Sequence, residues 1–263
     1  MTQSNGRKSI FITGAASGMG RETALLFAGQ GWFVGAFDVD RVGLERLENE
    51  IGSDNGMFEY LDVSDRGAFI DAVDAFSVAT EGKLDVLFNN AGVGVNGLFD
   101  ELPWDSVMKV VNINLIGVMI GIHAATSLLK ATPGSLCLTT SSSSAIFGSA
   151  GIAVYSATKH AVRGLTEALS VELKRYGVRA ADLLPGLIDT PLLPDTLRAI
   201  APPEGMWRLT PASQVAKAVW DAYHGDKLHY YVPEDLKEFD VQAATDPEGV
   251  REERAVMFGF ASP

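Results

Sequence analysis

Two groups of residues in this chain have the types and spacing to do chemistry. The first is Thr13-Gly14-Ala15-Ala16-Ser17-Gly18-Met19-Gly20, which follows the apolar run Ile10-Phe11-Ile12 and leads into the amphipathic segment Arg21 to Gln30. A buried strand entering a glycine-rich turn ahead of a helix has the makings of a phosphate site. Glycines let the main chain approach a pyrophosphate, and the free N–H groups at the helix start attract its charge. The spacing of Gly14, Gly18 and Gly20 is G-x-x-x-G-x-G, not G-x-G-x-x-G, but the physics is the same. The second group is Tyr155-Ser156-Ala157-Thr158-Lys159, which puts a phenol and an ammonium at i and i+4, on one face of a helix. Ser142 follows an apolar run, and Asn114 lies in the helical segment before that run.

Such residues need a scaffold, and the hydrophobic periodicity describes one. Apolar runs at 8–13, 32–38, 57–62, 84–89, 134–141, 178–184 and 228–232 alternate with helical patterns at 19–29, 41–50, 65–80, 104–131, 154–176 and 211–223. Continuous apolar strands between amphipathic helices predict an α/β fold: a doubly wound, Rossmann-type parallel sheet of about seven strands, with helices on both faces. No linker or composition break divides residues 1–263, so a single domain is expected, its core over about 8–232. The rhythm fails twice. Residues 187–210 are irregular and rich in Pro and Leu, and a polar tail over 233–263 closes with Met257-Phe258-Gly259-Phe260. In open α/β sheets the ligand crevice lies outside the carboxyl ends of the strands, so residues just after strands are where chemistry is sought.

Composition narrows the partners. A net charge of −12 argues against nucleic acid or an anionic membrane surface. Cys137 is the only cysteine, so no intrachain disulfide forms, which fits a reducing cytoplasm; within Leu136-Cys137-Leu138 it reads as an inert core residue. Met1 to Lys8 has no apolar stretch of signal-peptide type. The most apolar helical region, Val107 to Leu129, is interrupted by Lys109, Asn112, Asn114 and His123, and reads as a buried helix of a soluble protein rather than a membrane span. The four histidines show no metal-ligand spacing, so no metal is expected.

The cofactor half can be read further. Strand two ends at Asp38, where a carboxylate accepts hydrogen bonds from the adenosine ribose of NAD and repels the extra phosphate of NADP. Helix capping is the competing role for Asp38, but Asp40 is better placed for it. Ser17 stands where a basic residue could have met that phosphate, and Arg41 sits three residues on. Asp62 and Val63 end strand three and line the adenine. Asn89-Asn90-Ala91-Gly92 ends strand four, where small residues let the backbone pack beside the adenosine. NAD is the expected cofactor.

Taken together, these motifs resemble the short-chain dehydrogenase/reductase family over roughly residues 8 to 232. Its glycine motif matches Thr13 to Gly20, its NNAG motif Asn89 to Gly92, and its catalytic asparagine Asn114. Its serine, thirteen positions before the tyrosine, matches Ser142 within Ser141-Ser142-Ser143-Ser144. Its Pro-Gly segment with a downstream threonine matches Pro185, Gly186 and Thr190. One departure is Ala145, where many members carry glycine. The resemblance implies Tyr155 as general acid/base, Lys159 holding the nicotinamide ribose and favouring the phenolate, Ser142 binding the substrate oxygen, and Asn114 holding a water that links Lys159 to solvent. It implies cofactor contacts from Gly14, Ser17, Gly18, Met19 and Gly20 of the loop, and from Asn90, Ala91 and Gly92. At the nicotinamide end, Pro185, Gly186, Ile188 and Thr190 join Tyr155 and Lys159. His160 lies one residue off the catalytic face and is expected to be structural.

The expected activity is NAD-dependent hydride transfer between a secondary alcohol and its ketone, with oxidation favoured where cellular NAD is mostly oxidised. An NADPH-dependent carbonyl reductase is opposed by Asp38. A dinucleotide-binding sensor that has lost its chemistry would show a broken tyrosine, lysine or serine, and none is broken. Val93, Val95, Ile146, Phe147, Leu192, Leu193, Met206 and Trp207 predict an apolar substrate wall, with 187–210 as a lid. The substrate is then a small hydrophobic or aromatic alcohol or ketone. Apolar residues on more than one face of 104–131, such as Val118, Ile120 and Ile122, predict a homo-oligomer, a tetramer or dimer. The tail is expected either to pack on its own lid or a neighbouring subunit, or to fray.

Overall fold

The computed structural model describes residues 2–262. Its centre is a parallel sheet of β1 (Ser9–Thr13), β2 (Phe33–Asp38), β3 (Gly56–Tyr60), β4 (Val86–Asn89), β5 (Leu136–Thr140), β6 (Arg179–Pro185) and, after the short strands β7 (Ile188–Asp189) and β8 (Thr210–Pro211), β9 (His229–Val232). The spatial order is β3-β2-β1-β4-β5-β6-β9, and β7 pairs with β8 alone. Strand order therefore reverses between β1 and β4. Their register pairs Ile12 with Phe88, which brings Thr13-Gly14 beside Asn89-Asn90 at the carboxyl ends, where such sheets bind ligands.

Every residue of β1, β4 and β5 is buried, because helices cover both faces. Alternation along the strands splits the core in two. Ile10, Ile12, Val34 and Phe88 meet α1 (Gly18–Gly29), α2 (Arg41–Ile51) and α8 (Ala212–His224) through Phe27, Leu44, Val215 and Val219. Phe11, Phe33, Phe37 and Cys137 face the other way, against Phe69 and Phe76 of α3 (Arg66–Ala79) and the apolar helix before β5. Phe11 stacks on Phe37 at 4.0 Å. Each buried Phe contributes about 2–3 kcal/mol, and burial pushes the Cys137 thiol up to about 12, leaving it inert.

The helix expected over 104–131 is three pieces: α4 (Trp104–Val111), a π-helical turn Asn112–Ile116, and α5 (Gly117–Ala131). By length and composition the whole stretch could cross a membrane. In the fold it lies across the sheet, with Val118, Ile122, Ala125 and Leu129 buried in the second core. The catalytic-type motif lies on α6 (Ala153–Glu172).

The two irregular stretches hold more order than the pattern suggested. Residues 187–210 contain the short helix α7 (Asp195–Ile200), and the tail forms α9 (Leu236–Thr245) and α10 (Pro247–Met257). The tail's signals are short but present. Leu236, Phe239 and Ala243 recur at helical spacing and are buried. Asp246 caps α10 by accepting from Gly249 N at 3.0 Å, and Pro247 occupies the first turn of that helix. The terminal Met257, Phe258 and Phe260 are exposed.

Candidate active site

The glycine turn is built for close approach. Gly18 has φ +52°, and a Cβ there would lie 3.0 Å from Thr190 Cγ2, so the start of α1 faces the segment after β7. A Cβ on Gly20 would lie 2.1 Å from the Gly14 carbonyl oxygen. Gly20 thus lets α1 pack against the turn, and it is not among the residues lining the cleft. The turn is held from below. The Thr13 hydroxyl accepts from Asn90 N and Ala91 N at 3.0 and 3.1 Å, while the Asn90 amide donates to the carbonyls of Thr13 and Gly14 and accepts from Thr140.

Asp38 fixes the turn from the side. One carboxylate oxygen accepts from Ala16 N and the other from Asp40 N, both at 2.9 Å, while Asp40 caps α2 through Gly43 N at 3.0 Å. Between these elements opens a cleft of about 220 Å³ lined by Gly14, Ser17, Gly18, Met19, Asp38, Asp62, Val63, Asn90, Ala91, Gly92 and Thr190. Its lining also includes Val39, Leu61, Val93, Ile113, Pro191 and Leu192, and no Lys or Arg. Arg41 instead lies over the Tyr60 ring at 4.2 Å. The sequence predicts Val93 and Leu192 for the substrate wall, and its patterns mark none of the other four. Ile113 reaches the cleft from the π-helical turn, which no residue pattern announces.

Pro185, Gly186 and Ile188 are not part of that lining. Gly186 N donates to the Val232 carbonyl at 2.8 Å, and Ile188 is buried in the first core. These residues position Thr190 in the cleft from behind.

At the other end of the cleft, a Cβ on Gly92 would lie 3.4 Å from Asn114 Oδ1 and 3.7 Å from Lys159 Nζ, so the two halves of the site meet there. Lys159 is 3% exposed and donates to the Thr140 carbonyl at 2.7 Å; burial pulls its pKa down to about 8. Tyr155 is partly exposed. Burial pushes its phenol above the ordinary value, and a hydrogen bond with the Ser142 side chain pulls it part of the way back. The lowering expected from Lys159 is not seen: its ammonium is committed to Thr140 and lies 5.5 Å from the Tyr155 ring centre. Ser142 is buried, and its hydroxyl also accepts from Ser144 N at 3.1 Å. Asn114 is fully buried in the π-helical turn. Its amide donates to the Val93 carbonyl and accepts from Val93 N, both at 2.9 Å, so the side chain clasps the backbone after Gly92. His160 is exposed, with Nδ1 at the Ser156 carbonyl.

Two apolar clusters hold the residues expected in the substrate wall. Val93 and Val95 pack with Tyr155 against Val107, Val110 and Val154. Ile146, Phe147, Met206 and Trp207 pack with Leu236 and Phe239 of the tail, and Trp207 meets Phe239 edge-on at 5.3 Å. The two arginines of the 187–210 segment are both paired: Arg198 with Asp189, and Arg208 with Asp235 at 2.7 Å.

Residues 8–200 match the family model described as short chain dehydrogenase. The chain is 40% identical to momilactone A synthase of Oryza sativa subsp. japonica, over 70% of this chain and 68% of that protein. It is 33% identical to cyclohexanol dehydrogenase of Acinetobacter sp. (strain SE19), over 73% and 78%. Among solved structures, a short chain dehydrogenase/reductase from Burkholderia phymatum in complex with NAD is 26% identical, with a TM-score of 0.81 over 92% of this chain and 94% of that one. An alcohol dehydrogenase from Thermococcus sibiricus, complexed with 5-hydroxy-NADP, is 25% identical with a TM-score of 0.74 over 85% and 94%.

Proposed function

The chain belongs to the short-chain dehydrogenase/reductase family, an oxidoreductase acting on CH–OH and C=O groups, and from that premise we propose an NAD-dependent dehydrogenase for an apolar or aromatic secondary alcohol. The observation that carries the cofactor choice is Asp38. Its carboxylate is anchored by two main-chain N–H groups at the cleft edge, where a 2′-phosphate would meet negative charge and no cation. Residues fit the group in other respects: Gly18 leaves room at the helix start for a pyrophosphate, and Asp62 and Val63 border the adenine side.

NAD, when bound, supplies the hydride acceptor. The chain's own groups handle the proton. Ser142 orients the alcohol oxygen toward Tyr155, and the Tyr155 phenolate, its own proton given up to solvent beforehand, takes the hydroxyl proton as the carbinol hydrogen leaves as hydride to the nucleotide. Lys159, beneath the ring, keeps the local field positive as the phenolate forms, and Asn114 steadies the Val93 backbone that borders both cofactor and alcohol.

An apolar alcohol is favoured by Val93, Val95, Ile146, Phe147 and Trp207, and by the pairing of Arg198 and Arg208 with carboxylates, which leaves neither available for a substrate acid. The cyclohexanol dehydrogenase likeness points the same way. A cytoplasmic homo-oligomer, tetramer or dimer, completes the proposal. Its supports are the lone buried Cys137 and the exposed Ile116 of the π-helical turn and Met119 of α5, whereas Val118 and Ile122, expected to face a partner, lie in the chain's own core. A screen of cyclic, aromatic and carboxylated secondary alcohols with NAD and NADP tests it. Turnover of cyclic or aromatic alcohols with NAD is expected, and preference for a hydroxy-carboxylate or for NADP would overturn it.

A further inference from the structure

Arg163 lies four residues beyond Lys159 on α6, and its guanidinium ties this helix to the turn after Ser142 and to α9. Nη1 and Nη2 donate to the two carboxylate oxygens of Asp240 on α9 at 3.0 and 2.7 Å. Nη1 also reaches the carbonyl of Ala145, in the turn that Ser142 opens, at 3.4 Å, and Nε donates to Glu167 at 3.3 Å. Asp240 accepts in addition the Tyr231 hydroxyl from β9. Both partners of the pair are only 19% exposed. An exposed ion pair contributes little, but a bidentate pair largely withdrawn from water fixes geometry as well as energy. Burial alone would raise the Asp240 carboxyl, yet the hydrogen bonds from Arg163 and Tyr231 hold it below its ordinary value.

What this pair secures is the substrate-side wall. The same α9 that carries Asp240 supplies Leu236 and Phe239 to the cluster with Ile146 and Trp207. The Arg254 guanidinium of α10 lies over the rings of Trp207 and Phe239 at 4.5 and 4.8 Å, clamping lid to tail. Asp240 also lies outside the residues 8–200 that the family model matches.

We infer that Arg163 is a positioning residue, docking the tail through Asp240 as a wall of the alcohol pocket and steadying the Ser142 turn through Ala145. The inference rests on the roles proposed above for Ser142 and Tyr155. The nucleotide cleft is lined from the ends of β1 to β4, the π-helical turn and Thr190-Pro191-Leu192, and neither Arg163 nor Asp240 hydrogen-bonds any of these, so the latch bears on the alcohol and not on the nucleotide.

The test is a double-mutant cycle of Arg163→Ala and Asp240→Ala, with Asp240→Asn as the milder variant should either alanine variant fail to fold. Each single change is expected to raise KM for the best alcohol about tenfold or more, with NADH affinity by fluorescence within about twofold of wild type, and the double variant is expected to be no worse than the poorer single. Deuterium uptake reads the coupling without turnover: amides of 143–146 and of 236–257 should exchange faster together. Unchanged KM and exchange, simply additive losses, NADH affinity falling in step with KM, or faster exchange in the tail alone would each overturn the inference. A wild-type protein that turns over no alcohol or ketone defeats the proposed function instead, and the exchange measurements then decide the latch by themselves.

Discussion

Lys159 lies 5.5 Å from the centre of the Tyr155 ring, yet its ammonium is held by main chain, donating to the Thr140 carbonyl at 2.7 Å. The two groups share a place where burial lifts the phenol's pKa and lowers the ammonium's to about 8.

A pH profile follows with opposite signs for the two reaction directions. The first of the two groups to lose its proton on raising pH is Lys159, at about 8. Alcohol oxidation needs the pair to accept a proton, so kcat/KM should climb through that region to an alkaline plateau. Ketone reduction needs a proton donor and should fall over the same interval. Stability shifts too. Because Lys159 binds its proton less tightly folded than unfolded, the unfolded chain holds more protons between about 8 and 10.5, and this group's contribution to stability rises with pH across that window. Steady-state rates in both directions from pH 6 to 10 check the first claim, and a flat oxidation profile would contradict it.

Tyr155→Phe keeps the ring between Val93, Val95 and Val154 and removes the transferable proton. Turnover should drop on the order of a hundredfold or more, with nucleotide affinity unchanged. Ordinary turnover in the variant would refute the assignment of the general base.

Asp38→Ser should shift the ratio of kcat/KM for NAD over NADP toward NADP, because the repelling carboxylate disappears. It should also lower stability by about 1–2 kcal/mol, since Ala16 N and Asp40 N each lose a charged acceptor. Cofactor competition and thermal melts measure the two effects separately. A wild type that already prefers NADP would remove the basis for both the variant and the cofactor assignment.

Gly20→Ala is expected to cost about 3 kcal/mol, because its Cβ would meet the Gly14 carbonyl oxygen at 2.1 Å and neither side is a flexible side chain. Gly29→Ala, at the end of the same helix with nothing within 4 Å, should be neutral or stabilising by a few tenths to about 1 kcal/mol. Chemical denaturation of the pair separates packing from helix propensity. Equal stabilities would show that the turn relaxes around a methyl group.

The sheet and its helices were legible because burial on both faces leaves unbroken apolar strands, as in Ile10-Phe11-Ile12 and Val86-Leu87-Phe88. Asp38 and Asp40 could be told apart from their order alone, since only Asp40 stands at the start of a helical pattern. What escaped the sequence is what depends on three-dimensional closure. The π-helical turn at Asn112–Ile116 has no compositional mark, so Ile113 at the cleft and the engagement of the Asn114 amide with Val93 were not foreseeable. The tail helices are short, with only Leu236, Phe239, Ala243 and Val250 buried, too few apolar positions to stand out from a polar background. Even the phenol's shift needed the fold, because burial around Tyr155 cannot be read from a five-residue motif.

The cleft carries Asp38 and Asp62 and no Lys or Arg, within a protein of net charge −12. An anionic dinucleotide thus approaches against the field of the whole molecule and is attracted only at short range, by the N–H groups at the start of α1. Added salt shortens the reach of that repulsion from about 30 Å at 0.01 M to about 8 Å at 0.15 M. Capture should therefore quicken as ionic strength rises, the reverse of the electrostatic steering that speeds many enzymes at low salt.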